Sequence, residues 1–270
     1  MEIYIDSANL EEIREAISWG IVAGITTNPS LIKKEVDAKN APDLDDLIRE
    51  ILSAAGAKPV SLEVTGVIYE EMVREGRAIK KRYGDRGNVV VKIPVNPSLG
   101  TEDKTQYDGL KTIHTLAKEG IAINTTLVMS PEQALLAARA GTAYVSPFAG
   151  RIDDYLSENF TDKKGNKQDY YPQEGKVNST GKKIEDNGIV SGVDLVRSIV
   201  EIFRNYNLLT KVLAASVRNA RQLREMALVG ADIATAPFYV LDAAIRHKKT
   251  YEGAQHFKRD VVTEYAELLR

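Results

Sequence analysis

The sequence predicts an α/β fold, a (β/α)8 TIM barrel in a single domain covering residues 1–270. Three observations predict it. The length of 270 residues is close to that of one such barrel. Short apolar runs rich in β-branched residues alternate eight times with longer amphipathic stretches, the pattern of repeated βα units and a parallel sheet. A doubly wound sheet would have fewer strands and a Gly-rich first turn, and the chain has neither a GxGxxG nor a Walker sequence.

The first run, residues 3–5, leads into a helical pattern over 10–19. Strands are then expected at 24–27, 60–64, 89–93 and 122–128, followed by helices at 44–55, 70–83, 107–119 and 131–140 respectively. After the sixth run, 143–148, the rhythm breaks. Residues 157–188 are polar, carry Gly165, Gly175, Gly181 and Gly188, and hold no sustained period. An insertion of this length is expected to lie over the C-terminal face of the barrel, packed down by Tyr170, Tyr171 and Pro172; a floppy insertion is the other reading. The alternation resumes with a helix at 192–205, strand 211–217, helix 220–229, strand 233–237 and helix 239–248. Residues 251–270 read as one extra C-terminal helix with Phe257, Val261, Val262, Tyr265 and Leu268 on one side, suited to cover the barrel or a partner subunit. A homo-oligomer is expected.

Composition narrows the function. With 36 Lys+Arg against 38 Asp+Glu, and neither sign in a long block, no nucleic-acid partner is expected. The chain has no cysteine, which excludes disulfides, thiolate metal sites and cysteine nucleophiles. His114, His247 and His256 fall on expected helices without a second ligand at metal spacing, so no metal is expected. The N-terminus enters a strand pattern at once and no apolar run reaches the length of a membrane span. A cytoplasmic protein without a membrane partner is the expectation.

In a parallel barrel the C-terminal strand ends converge on one mouth, and polar residues placed there share a site. Seven of the eight ends supply them: Asp6, Thr27 with Asn28, Glu63, Lys92, Asn124 with Thr126, Ser146 with Arg151, and Ser216 with Arg218. The eighth offers Thr235, to which no role is assigned. Lys92 lies among Val89, Val90, Val91 and Ile93. Desolvation there would favour a neutral amine able to attack a ketone. A lysine snorkelling at the strand end, or paired with a carboxylate, fits the same string. Asp6 suits a proton-transfer group, and equally the run into a helix N-terminus. Glu63 with Thr126 suits the holding of a water, against a structural pair of Glu63 with Lys92. The amides of Asn28 and Asn124 suit sugar hydroxyls, with turn chemistry as the alternative. Arg151 and Arg218, past successive strands, suit a phosphate.

The strings Tyr-Ile-Asp-Ser-Ala, Gly-Ile-Thr-Thr-Asn-Pro-Ser-Leu-Ile, Ser-Leu-Glu-Val, Val-Val-Lys-Ile-Pro, Gly-Ile-Ala-Ile-Asn-Thr-Thr-Leu-Val, Tyr-Val-Ser-Pro-Phe-Ala-Gly-Arg-Ile-Asp-Asp and Ala-Ala-Ser-Val-Arg-Asn run in order from residue 4 to about 219. Together they resemble the transaldolase family, including its short branch of fructose 6-phosphate aldolases. The resemblance implies an enzyme that takes a dihydroxyacetone unit from a ketose phosphate onto lysine and passes it to an aldose phosphate, with no cofactor. It implies Lys92 as the Schiff-base lysine, Asp6 as the proton-transfer acid, and Glu63 with Thr126 as holders of the catalytic water. Asn28, Asn124 and Ser146 match substrate-hydroxyl positions; Ser216 and Arg218 match phosphate contacts, joined by Arg151. The aldolase branch resembles Gln and Tyr where this chain has Glu63 and Phe148, which favours transfer over cleavage. The alternatives are an aldolase-type lyase on the same site and a non-catalytic sugar-phosphate binding protein.

Overall fold

Eight short strands close on themselves in chain order, so the sheet has no free edge. They are β1 (Glu2–Asp6), β2 (Val22–Thr26), β3 (Val60–Glu63), β4 (Val89–Pro94), β5 (Ile123–Val128), β6 (Tyr144–Pro147), β7 (Lys211–Ala214) and β8 (Ile233–Ala236). Every neighbouring pair is parallel. The computed structural model describes residues 1–38, 43–96, 105–160 and 169–269. It bears out the predicted (β/α)8 barrel, with each expected strand run present.

The helices are α1 (Leu10–Ser18), α2 (Pro29–Asp37), α3 (Leu44–Ala55), α4 (Tyr69–Tyr83), α5 (Asp108–Lys118), α6 (Pro131–Ala140), α7 (Ala149–Phe160), α8 (Gly192–Asn205), α9 (Ala220–Val229), α10 (Phe238–Ile245), α11 (Lys248–Arg259) and α12 (Thr263–Leu268). Their apolar stripes pack on the outward strand residues. Ile5, Ile25, Leu62, Val91, Ile123, Val145, Val212 and Ala234 belong to this outer core with Ile13, Ile51, Met72, Ile113 and Ile199. The inward residues form a separate small core of Tyr4, Leu213, Ala215 and Ile233. Period-two alternation produces both. Gly24 belongs to this packing, since a Cβ there would run into the Tyr4 ring.

Inward positions further along each strand become polar. The register pairs Asp6 with Thr26, Glu63 with Lys92, and Lys92 with Asn124, so groups far apart in sequence stand side by side around the mouth.

Three expectations need correction. Helix α2 was not anticipated, because Asn28-Pro29 reads as a turn; here Asn28 is its N-cap, accepting from the Leu31 N–H at 3.0 Å, with Pro29 in the first turn. Helix α7 starts directly after β6 and runs to residue 160, so the irregular segment begins later than residue 157. The single C-terminal helix expected over 251–270 is instead two. Helix α11 opens where His247 caps with its ring nitrogen, accepting from the Lys249 N–H at 3.1 Å. It closes at Asp260, and Val262 turns extended before α12. Neither α11 nor α12 buries a residue, and Tyr251, Phe257, Val262 and Leu268 are exposed.

The described part of the irregular segment, 169–191, packs on α8 and α9. The Tyr170 hydroxyl donates to Glu225 at 2.7 Å beneath the Arg221 guanidinium, and Tyr171 and Ile184 are buried. Gly165 lies outside the described residues. Among the described residues no helix is long and apolar enough to cross a membrane.

Candidate active site

The polar strand ends converge on a cavity of about 290 Å³. Asp6, Asn28, Lys92, Ser146, Phe148, Arg151, Ser216 and Arg218 all line it, with Thr26, Thr235, Pro237 and Tyr239. Thr27, Glu63, Asn124 and Thr126 do not line it and stand behind those that do.

Lys92 is 4% exposed, and its Nζ donates to the Thr27 carbonyl at 2.9 Å and pairs with Glu63 Oε2 at 2.9 Å. Both residues sit on inward positions of adjacent strands, which explains the pairing. A buried ion pair of this kind is a weak source of stability, because both charges lose their hydration. It does fix the amine in place. Of its two partners, the carboxylate is the one that can take up an ammonium proton.

Asp6 accepts from the Thr26 hydroxyl at 2.7 Å, and Thr26 is 2.6 Å from the Thr235 hydroxyl. Since Thr26 has one proton and directs it at the carboxylate, Thr235 must donate to Thr26. Burial pushes the Asp6 carboxyl above the ordinary carboxylate range, Lys92 and the Thr26 hydroxyl pull it down, and Glu63 adds to the rise. A carboxyl so placed can change protonation state during a reaction. Asp6 is not a helix cap: Asn9 caps α1, accepting from the Glu12 N–H at 3.0 Å.

On the next strands Asn124, fully buried, accepts from the Ser146 hydroxyl at 2.7 Å and donates to Ser61 at 3.3 Å. Its amide holds Ser146 toward the cavity. The Thr27 hydroxyl is taken up by the Ser61 carbonyl at 2.8 Å, while the Thr27 carbonyl holds Lys92. Thr27 and Glu63 line instead an apolar groove of about 410 Å³ between α2, α3 and α4. Thr126 Oγ1 is buried without a hydrogen-bond partner among the described residues. A buried hydroxyl without a partner is costly unless water or ligand satisfies it.

At the sixth and seventh strand ends Arg151 lies over the Phe148 ring at 5.0 Å. Arg218 Nε donates to Ser216 Oγ at 3.3 Å, and Nη2 meets Asp154 at 2.7 Å. Ser216 adopts φ 60°, a left-handed conformation that a non-glycine residue holds only when its surroundings insist. The surroundings are α7, whose Gly150 N–H donates to the Ser216 carbonyl at 3.2 Å. A Cβ at Gly150 would strike that carbonyl and the Arg218 side chain.

A buried lysine with a carboxylate acceptor, a second carboxyl with a raised pKa and two arginines on one barrel mouth make up the constellation carried by the strings. The profile of the family described as Transaldolase/Fructose-6-phosphate aldolase matches residues 3–268. The chain belongs to that family. A protein named "Probable transaldolase" from Thermoplasma acidophilum is 42% identical over 260 residues, covering 96% of this chain and 95% of that one. Similarly named proteins from Roseiflexus sp. and Petrotoga mobilis are each 42% identical over 260 residues, covering 96% of this chain and 96% and 94% of their own.

Within this transaldolase-family barrel, sequence reasoning missed three groups and left Thr235, which bonds Thr26, without a role. Thr26 lies inside a strand, where a threonine reads as ordinary β-branched filling. Tyr239, at the start of α10, lines the cavity; burial raises its hydroxyl pKa, Arg218 opposes the rise and Asp6 adds to it. Asp154 escaped because only the fold brings it to Arg218. Its position in Arg-Ile-Asp-Asp, one residue past a buried carboxyl, was the available signal.

Proposed function

We propose that the chain is a transaldolase working through a Schiff base on Lys92. The observation that carries this reading is the buried Lys92 amine, 2.9 Å from Glu63 and lining the same cavity as Asp6 and Arg218. Lys92 gives up its proton to Glu63 and the neutral amine attacks the ketone carbon of fructose 6-phosphate or sedoheptulose 7-phosphate. The C–N bond forms as the carbonyl pair moves onto oxygen, which takes a proton from the attacking nitrogen; the proton held by Glu63 then goes to that hydroxyl, and loss of water gives the iminium. Thr126, buried and unpartnered, suits the holding of that water with Glu63.

Asp6 then takes the proton of the C4 hydroxyl. The C3–C4 bond breaks, its electron pair passes into the iminium, and an aldose phosphate leaves. The three-carbon enamine stays on Lys92. An acceptor aldehyde, glyceraldehyde 3-phosphate or erythrose 4-phosphate, is attacked by the enamine carbon, Asp6 returns its proton to the new alkoxide, and hydrolysis releases the new ketose phosphate. Ser146 and Asn28 suit the sugar hydroxyls; Arg151, Ser216 and Arg218 suit the phosphate. Asn124 supports Ser146 and Thr27 supports Lys92 from behind.

Transfer is favoured over cleavage by Phe148, which brings no hydroxyl to the cavity it lines. The test is to supply fructose 6-phosphate with and without erythrose 4-phosphate. Sedoheptulose 7-phosphate should form with the acceptor, and free dihydroxyacetone should form far more slowly without it. Equally fast release without acceptor would make the enzyme a lyase.

We propose further that the exposed apolar residues of α11 and α12 dock on a second copy of the chain. Unburied Tyr251, Phe257 and Leu268 on helices that bury no residue, with exposed Val262 between them, support this reading. Light scattering should find an oligomer, and Tyr251→Glu with Phe257→Glu should shift it to smaller species; a monomeric parent protein would contradict it.

A further inference from the structure

Helix α7 carries two adjacent carboxylates that turn to different neighbours. Asp154 reaches the Arg218 guanidinium. Asp153 is 8% exposed, does not line the cavity, and its two oxygens are both engaged. Oδ1 accepts from the Gly192 N–H at 2.7 Å, at the first residue of α8. Oδ2 accepts from Gln222 Nε2 at 2.9 Å, in the first turn of α9. Gln222, 4% exposed, completes the chain: its Oε1 accepts the backbone N–H of Arg218 at 2.8 Å.

The carboxyl therefore ties together α7, α8 and the turn after β7 that presents Ser216 and Arg218. The direction of each bond is fixed. Arg218 offers only an N–H, so Gln222 must present its oxygen there and its NH2 to Asp153; Gly192 likewise offers only an N–H, so position 153 must accept from both sides. Few residue types meet that demand in a buried setting. Keeping a carboxyl here has a cost: burial, Asp154 and Glu225 push it up to about 7, against the Gly192 N–H and Arg218, and Tyr171 faces it from the 169–191 segment.

We propose that Asp153 and Gln222 are positioning residues for Arg218, forming a buried carboxyl–amide bridge that aligns it on the substrate phosphate. This rests on the reading of Arg218 as a phosphate ligand under the proposed function. Asp153→Asn puts an NH2 where an acceptor is required, either against Gly192 or against Gln222. The double substitution Asp153→Asn with Gln222→Glu restores every bond: the asparagine oxygen accepts from Gly192, its NH2 donates to the new glutamate, and that glutamate accepts from Arg218.

The test is steady-state kinetics of the full chain with fructose 6-phosphate and with unphosphorylated fructose as donors, and inorganic phosphate as competitive inhibitor. Asp153→Asn should raise the KM for fructose 6-phosphate and the inhibition constant of phosphate about tenfold, the scale of one buried hydrogen bond. It should leave kcat within about twofold and kcat/KM on fructose unchanged, as expected when only uniform phosphate binding is lost. Gln222→Met should do the same and serves if Asp153→Asn does not fold. The double swap should return both constants toward those of the parent protein. An unchanged KM in active single variants, an equal loss on both donors, or no recovery in the swap would overturn the inference and leave the proposed function standing. A parent protein that neither turns over fructose 6-phosphate nor is inhibited by phosphate would overturn both.

Discussion

Lys92→Met is expected to lower turnover by roughly four or more orders of magnitude, because the covalent route is closed and no other amine is at hand. Among the described residues, Lys92 is the one lysine lining the cavity. Methionine approximates the length of the lysine stem and fits an inward position of β4. The substitution also leaves the Glu63 carboxylate, 13% exposed, without its cation. Removing one partner of a buried pair costs about 3–5 kcal/mol, so the thermal midpoint should fall while the far-ultraviolet signature of the barrel persists. Adding Glu63→Gln should recover stability without recovering activity. That split separates a chemical role for Lys92 from a structural one. Recovery of turnover in the double variant would reduce Lys92 to the partner of Glu63.

The second large effect is expected at Asp6. Asp6→Asn should lower kcat by about 10²- to 10⁴-fold, the usual weight of a positioned proton-transfer group. Asparagine preserves the shape and still accepts from Thr26 through its oxygen, so the Thr235–Thr26 chain survives and folding should be little disturbed. The pH profile supplies the sign. Burial raises the Asp6 carboxyl pKa, so the carboxylate that accepts the C4 proton is lost as pH falls through a point above the ordinary carboxylate range. Activity should therefore drop on the acidic side in the parent protein, and that limb should be missing from the Asp6→Asn profile. A variant that kept the limb would place the titrating group elsewhere.

Much of the barrel was legible because strand periodicity is local. Apolar runs such as Val89–Val91 declare a strand buried on both faces, and polar groups at their ends declare a mouth. The lysine among valines was visible for the same reason. Its partner was not decidable. Glu63 as water holder and Glu63 as ion-pair partner are the same residue in a string, and only the parallel register of β3 against β4 sets it beside Lys92.

Helices α2 and α7 were hidden by different causes. Asn28-Pro29 begins a turn or a helix with equal ease, and the cap to Leu31 decides it. Helix α7 follows β6 with no connecting loop, so its period merged with the strand before it and the polar stretch after it. Asn124 matches a substrate-hydroxyl position by resemblance, and in the fold its amide bonds Ser61 and Ser146 while the Thr27 hydroxyl bonds the Ser61 carbonyl, contacts between neighbouring strands that no local string reveals. The Asp153–Gln222–Arg218 chain spans 69 residues in its longest step and has no local signature at all.

The central claim is that Lys92 holds the substrate covalently. Incubating the protein with fructose 6-phosphate, reducing with borohydride and mapping the peptides should find a three-carbon, dihydroxyacetone-derived adduct on Lys92 alone, with activity lost in proportion to labelling. Active protein with Lys92 unmodified, or the adduct on another lysine, would contradict the account.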